Sequence, residues 1–143
     1  MKFSSFAAAA LALALPAIAQ TTQTLTYSPK YDDASLPMTA VACSDGPNGL
    51  ITKGFNTLGS LPGFPYIGKV DAVTGWDSAA PECGTCHNIT YGDSTLLVLA
   101  VDAALYELNL SEESMNALTH GQAAQLGMVD ATSVQVDIIY CGF

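Results

Sequence analysis

Four cysteines, Cys43, Cys83, Cys86 and Cys141, constrain this 143-residue chain more than any other feature. An even cysteine set in an exported protein forms disulfides, and disulfides decide which distant segments can share one core. Export is read from the N-terminus. The basic Lys2, the apolar stretch from Phe6 to Leu15 and the small-residue site Ala17-Ile18-Ala19 are the three parts of a secretory leader. Cleavage after Ala19 leaves residues 20–143, enough for one core, so a leader at 1–19 and a single domain at 20–143 are expected. The apolar stretch is shorter than the ~20 residues that a membrane-spanning helix needs, and no later window is comparable. The expectation is a secreted protein with no membrane span.

Cys83-Gly84-Thr85-Cys86 has the spacing of a redox-active pair, but that chemistry needs a helix after the first cysteine in a βαβ setting. Here His87-Asn88-Ile89-Thr90-Tyr91 follows, which reads as a strand. Each of these two cysteines is therefore expected to reach a distant partner, closing long loops that contribute about 3 to 4 kcal/mol apiece, with the short Cys83–Cys86 loop as the alternative. A zinc site built from these cysteines with His87 or His120 would need thiolates held reduced after export. No metal or other cofactor is expected.

All 13 acidic residues lie after position 19, against Lys30, Lys53 and Lys69 and no arginine. That balance lacks the basic footprint of a nucleic-acid binder. The aspartates are scattered, which describes a solvated surface rather than an acidic tail.

Short apolar segments punctuated by Gly and Pro point to strands. Thr24-Leu25-Thr26-Tyr27 alternates, and Val134 to Ile138 places its apolar residues at even positions. The continuous run from Leu96 to Val101 is too short for an ordinary helix and reads as the most buried strand. One helix is expected, capped by Asn109 with Glu112 three residues on, presenting Leu110, Met115 and Leu118 on one face and ending at Gly121. A shorter helical turn is expected at 50–54, and 56–75, with Pro62 and Pro65, reads mainly as ordered loop. Many short strands, one or two short helices and long-range staples describe a mainly β fold, a small closed barrel.

Three stretches then carry a family likeness: Val41 through Cys43-Ser44-Asp45-Gly46-Pro47-Asn48-Gly49 to Lys53, Phe64-Pro65-Tyr66-Ile67-Gly68, and Cys83-Gly84-Thr85-Cys86. The likeness continues through Val98 to Asp102, Met115 to Thr119, Gln125 to Thr132 and Cys141-Gly142-Phe143. Over nearly all of residues 20–143 the chain resembles the cerato-platanins of filamentous fungi. The resemblance implies a six-stranded double-psi β-barrel related to the first domain of expansins and to barwin, with Cys43 paired to Cys83 and Cys86 to Cys141. It also implies a secreted or wall-associated protein that binds chitin-type oligosaccharides, loosens polysaccharide networks without cleaving them, self-assembles at interfaces and elicits plant defence.

Glycosidic cleavage needs two carboxylates, a proton donor and a base or nucleophile, across one groove. Expansins and related endoglucanases carry the donor as the Asp of a Phe-Asp-Leu-Ser-like stretch; the matching stretch here is Leu108-Asn109-Leu110-Ser111, and Asn109 has no acidic proton. Asp102, at the end of the buried strand, is read first as an acceptor for sugar hydroxyls, then as an acceptor for loop amides, with a displaced catalytic acid as the third option. Asp45 and Asn48 sit in a turn beside a cysteine, suited to an Asx turn or to sugar contact. Trp76 is either a sugar platform or a core residue, and Tyr31 offers a second platform in a loop read as exposed. His87 and His120 form no nucleophilic triad with neighbouring serines. Asn88-Ile89-Thr90 and Asn109-Leu110-Ser111 match the N-glycosylation pattern, and a glycan on Asn109 would crowd the groove.

These readings give a non-catalytic binder of chitin-type or other wall oligosaccharides through Asp45, Asn48, Asp102 and Asn109, assisted by Trp76 and Tyr31. The enzymatic alternative is a weak glycoside hydrolase pairing Asp102 with Asp32 or Asp45. The other alternative is a surface-active coat or elicitor met by a plant receptor, self-associating through apolar loops such as Leu61 to Ile67.

Overall fold

Alternation along short segments becomes six strands in the computed structural model, which describes residues 20–70 and 83–143. They are β1 (Thr21–Tyr27), β2 (Ile67–Val70), β3 (Cys86–Tyr91), β4 (Ser94–Ala103), β5 (Glu107–Leu110) and β6 (Val129–Val136). They close into a barrel in the order β1-β5-β2-β4-β3-β6. Pairs β1–β5 and β2–β4 are parallel and the rest antiparallel. This interleaved closed sheet is the double-psi barrel, and closure leaves no unpaired edge. Its interior holds Leu25, Ile67, Ile89, Leu99, Leu108 and Leu110, all without solvent exposure. In β4 the residues from Val98 to Asp102 are buried, whereas Leu97 faces outward. No helix among the described residues is long and apolar enough to cross a membrane.

The helix starts two residues later than its sequence suggests. Asn109 is not its cap, because its backbone belongs to β5, between Thr26 of β1 and Lys69 of β2. Helix α1 (Glu112–Thr119) begins only where the ladder ends, and Ser111 Oγ accepts from the amide of Ser114 at 3.1 Å. Two further free amides of its first turn, those of Glu112 and Glu113, donate to the Asp32 carboxylate at 2.7 and 3.1 Å. Left-handed backbone at His120 (φ 54°) and Gly121 (φ 83°) stops the helix, and a short α2 (Ala123–Leu126) follows.

Strand β2 lies inside the stretch read as loop. Its four residues are too few to show a period, and its partners come from distant β4 and β5. Gly68 permits this approach: a Cβ there would fall 2.7 Å from Leu110 Cα. Residues 50–54 form tight turns with bonds from Lys53 N to Leu50 O and from Gly54 N to Ile51 O. Ile138 lies outside β6, because Asp137 Oδ1 accepts from Ile139 N and opens a 3-10 turn over Ile138–Cys141.

That turn delivers Cys141 to Cys86, and the loop after Ala40 delivers Cys43 to Cys83. The two bridges span 40 and 55 residues, as the long-loop reading expects. Replacing Cys86 and Cys141 together by serine is expected to cost about 4 kcal/mol of unfolding free energy in the chain-entropy picture, measured as a urea midpoint.

His87 points into the barrel wall, 3 % exposed, with Nε2 2.8 Å from Thr85 Oγ1. Burial pulls its pKa down to about 4. A base held neutral by the fold protonates more readily once unfolded. Its stability contribution is therefore complete above the unfolded value near 6.5 and is lost as pH falls toward 4. Thermal melts of the wild type should lose roughly 3 kcal/mol over that window, and His87→Gln should flatten the profile.

Candidate functional site

The strand registers align four polar residues across the sheet. Thr26 of β1 pairs with Asn109 of β5, Asn109 with Lys69 of β2, and Lys69 with Asp102 of β4. Paired residues share a face, and at about 4.8 Å per strand the row runs roughly 14 Å. Their chain neighbours Leu25, Leu108, Leu110, Gly68, Val70 and Val101 are buried, so the row lies on the outer wall. The register shift between Gly68 and Lys69 makes this possible. An unbroken ladder would have set the apolar Val101, not Asp102, beside Lys69.

Asn109 Nδ2 donates to Thr26 Oγ1 at 2.7 Å, fixing one end of the row. At the other end Asp102, almost wholly buried, has four donors around its carboxylate. Oδ1 accepts from the amides of Ala42 (2.9 Å) and Ala103 (3.0 Å). Oδ2 accepts from Tyr31 Oη at 2.8 Å and Lys30 Nζ at 3.4 Å. Two donors on each oxygen fill the accepting capacity of a carboxylate. Asp102 thus ties the loop at Ala42 and the segment at 30–31 to the barrel, the loop-amide role among its readings.

Tyr31 is not an exposed platform. It is 1 % exposed and belongs to the core, because the short 3-10 turn Pro29–Asp32 turns its ring inward. Burial first, and the Asp102 charge second, push its phenol far above the ordinary range, so it stays a donor. Asp32 is likewise committed, to the start of α1.

Between the loop and the barrel opens a cleft of about 300 Å³ walled by Lys30, Lys69, Asp102, Ser44 and residues 39–42. Two of the three lysines after position 19 gather here in an otherwise acidic chain. Lys30 is held by Asp102, by the Ala40 carbonyl at 3.1 Å and over the Tyr31 ring at 5.2 Å. Lys69 has no ion-pair partner among the described residues.

Asp45 and Asn48 lie in the turn that follows Ser44, itself part of the cleft wall, and neither lines the cleft. Asp45 is exposed and Asn48 half-buried, and Gly49 is required because a Cβ there would run into the Asp45 carbonyl. Trp76 lies outside the described residues. One aromatic escaped the sequence reading: Tyr106, 88 % exposed beside Leu105 at 71 %, on the connection from β4 to β5 that crosses the end of β2. Its φ of 60° is a left-handed conformation that tyrosine rarely adopts. The signal available in the sequence was an apolar pair, Leu105-Tyr106, where a polar turn belongs.

The family model for cerato-platanin matches residues 23–143. A heat-stable 19 kDa antigen of Coccidioides posadasii is 41 % identical over 146 residues, covering 99 % of both chains. The crystal structure of cerato-platanin 3 from M. perniciosa superimposes with a TM-score of 0.80 at 43 % identity, covering 86 % of this chain and all of that one. The solution structure of the fungal elicitor cerato-platanin gives 0.72 at 36 % identity, over 82 % of this chain and 95 % of that one. A mutant expansin of Clavibacter michiganensis in complex with cellohexaose shares the fold at a TM-score of 0.51 and 22 % identity, over 82 % of this chain and half of that one. With its interleaved barrel, two long-range disulfides and a family match over residues 23–143, the chain belongs to the cerato-platanin family.

Proposed function

We propose that this protein is secreted and binds cell-wall oligosaccharides of the chitin type without cutting them, using the row Thr26–Asn109–Lys69 and the cleft beside it. The observation that carries the reading is the row itself: polar groups aligned across three strands, Thr26, Asn109 and Lys69, with no ion pair to Lys69 among the described residues. A sugar chain laid across the strands meets these groups in turn, and Tyr106 at the rim offers a ring face to a pyranose. An expansin crystallised with cellohexaose shares this barrel, which supports an oligosaccharide as the ligand class. Asp45 and Asn48, in the turn that follows Ser44, extend the contact surface.

In the stretch that resembles the proton-donor stretch of expansins and related endoglucanases the residue is Asn109, Asp102 accepts from Ala42, Ala103, Tyr31 and Lys30, and Asp32 is bound to the start of α1. Cleavage requires two carboxylates about 5 to 9.5 Å apart with one free to give a proton. A binder of this kind loosens a wall by exchange: each net hydrogen bond is worth about 1 kcal/mol, and the protein competes for many. A second role as an elicitor is in keeping with the solved cerato-platanin that bears that description.

Titrating the oxidised protein with chitin oligomers should shift NMR signals of Thr26, Lys69 and Asn109 and of the cleft rim. Saturation with shifts confined elsewhere sinks the reading. Lys69→Ala should weaken binding about tenfold and Tyr106→Ala about fivefold, whereas Tyr66→Ala, on another face, should leave Kd unchanged. Incubation with chitin or glucan should release no new reducing ends; release that disappears in Asp102→Asn would establish the hydrolase instead.

A further inference from the structure

A second concave surface lies on the barrel wall away from Asp102, between β3–β4 and the C-terminal turn. It is a groove of about 560 Å³ lined by Phe64, Tyr66, Leu97 and Tyr140, with Asn88 in its wall. Tyr140 is 65 % exposed and Tyr66 38 %, so both rings present apolar surface to water. Surface apolar patches of this kind mark contacts. Asn88 pairs through its backbone with Leu97 and Val134 while its neighbours His87 and Ile89 are buried, which turns its side chain outward. Its amide bonds to no described residue, although it is half-buried at the edge of an aromatic groove.

Asn88-Ile89-Thr90 is also an acceptor pattern for N-linked sugar. The second such pattern is spent on the fold. Asn109 Nδ2 donates to Thr26 within the barrel wall, and Ser111 Oγ, wholly buried, caps α1 and donates to the Pro65 carbonyl. A glycan on Asn109 would have to displace a contact between β1 and β5; one on Asn88 displaces no side-chain hydrogen bond among the described residues.

We infer that Asn88 carries an N-linked glycan whose innermost N-acetylglucosamine lies in the groove against Tyr66 and Tyr140. The apolar face of that ring and its acetyl methyl suit aromatic walls. The covalent tether holds the sugar at the groove at millimolar effective concentration, so even a weak contact is kept. The donor is a lipid-diphosphate-linked oligosaccharide, supplied by the membrane transferase of the secretory route. Asn88 Nδ2 attacks its anomeric carbon, and a C–N bond forms as the C–O bond to phosphate breaks. The diphosphate leaves with the electron pair and an amide proton passes to solvent. Residues of the sugar row take no part, so this inference stands or falls apart from the binding reading.

The experiment is secretion of the full chain from a yeast host, with intact mass before and after peptide N-glycosidase. Wild type, Thr90→Ser and Asn109→Gln should carry one glycan, and Asn88→Gln and Thr90→Ala none. Wild type leaving the cell unmodified while a control glycoprotein is modified would overturn the assignment, as would a glycan that survives Asn88→Gln and is lost in Asn109→Gln. Trimming to the single innermost sugar should leave Tyr66 and Tyr140 ring signals shifted relative to Asn88→Gln. Unshifted rings, or a dimer that buries both tyrosines in the glycosylated protein, would remove the sugar from the groove.

Discussion

A single buried carboxylate joins the parts of this molecule that the chain itself keeps far apart. Burying Asp102 would be costly were its oxygens not met by donors from Tyr31, Lys30, Ala42 and Ala103. Those donors come from the segment after β1, the loop that holds Cys43, and β4 itself, so one side chain fixes how two connections lie on the barrel. The cleft between loop and wall exists because that distance is set, and Lys30, drawn in by the same carboxylate, forms one of its walls. The carboxylate organises the site and has nothing left over for a substrate.

The charge distribution follows a similar economy. A chain with 13 acids and four lysines repels other acidic molecules, while Lys30 and Lys69, two of the three lysines after position 19, converge on one cleft. The uncharged hydroxyls of a polysaccharide suffer no such repulsion. Around the barrel from this polar row lies a groove with the opposite character, where Tyr66 and Tyr140 meet a half-buried asparagine. The two surfaces share only β4, the groove meeting it at Leu97 and the row at Asp102, five residues further along.

Much of the architecture was legible in the residues. The uninterrupted apolar run of β4, the alternation of β1 and the strand after Cys86 all appear in the fold, and the four cysteines pair at long range. What escaped was anything set by a partner distant in the chain. Asn109 has the chemistry of a helix cap, yet it sits in a strand because Thr26 and Lys69, 83 and 40 positions away, take its backbone first. Strand β2 carries no period of its own, and Tyr31, a tyrosine in a turn with two aspartates after it, reads as surface until Asp102 claims its hydroxyl inside the wall.

Composition and local pattern, then, determined that the chain is a mainly β, disulfide-stapled domain with an acidic exterior, because solvation, alternation and cysteine pairing act residue by residue or over short windows. Only the tertiary structure decided which polar groups stand together. The register shift at Gly68/Lys69 turns Asp102 toward Lys69, and barrel closure brings Thr26 beside Asn109. Register is a property of paired strands, and no stretch of a single strand records it.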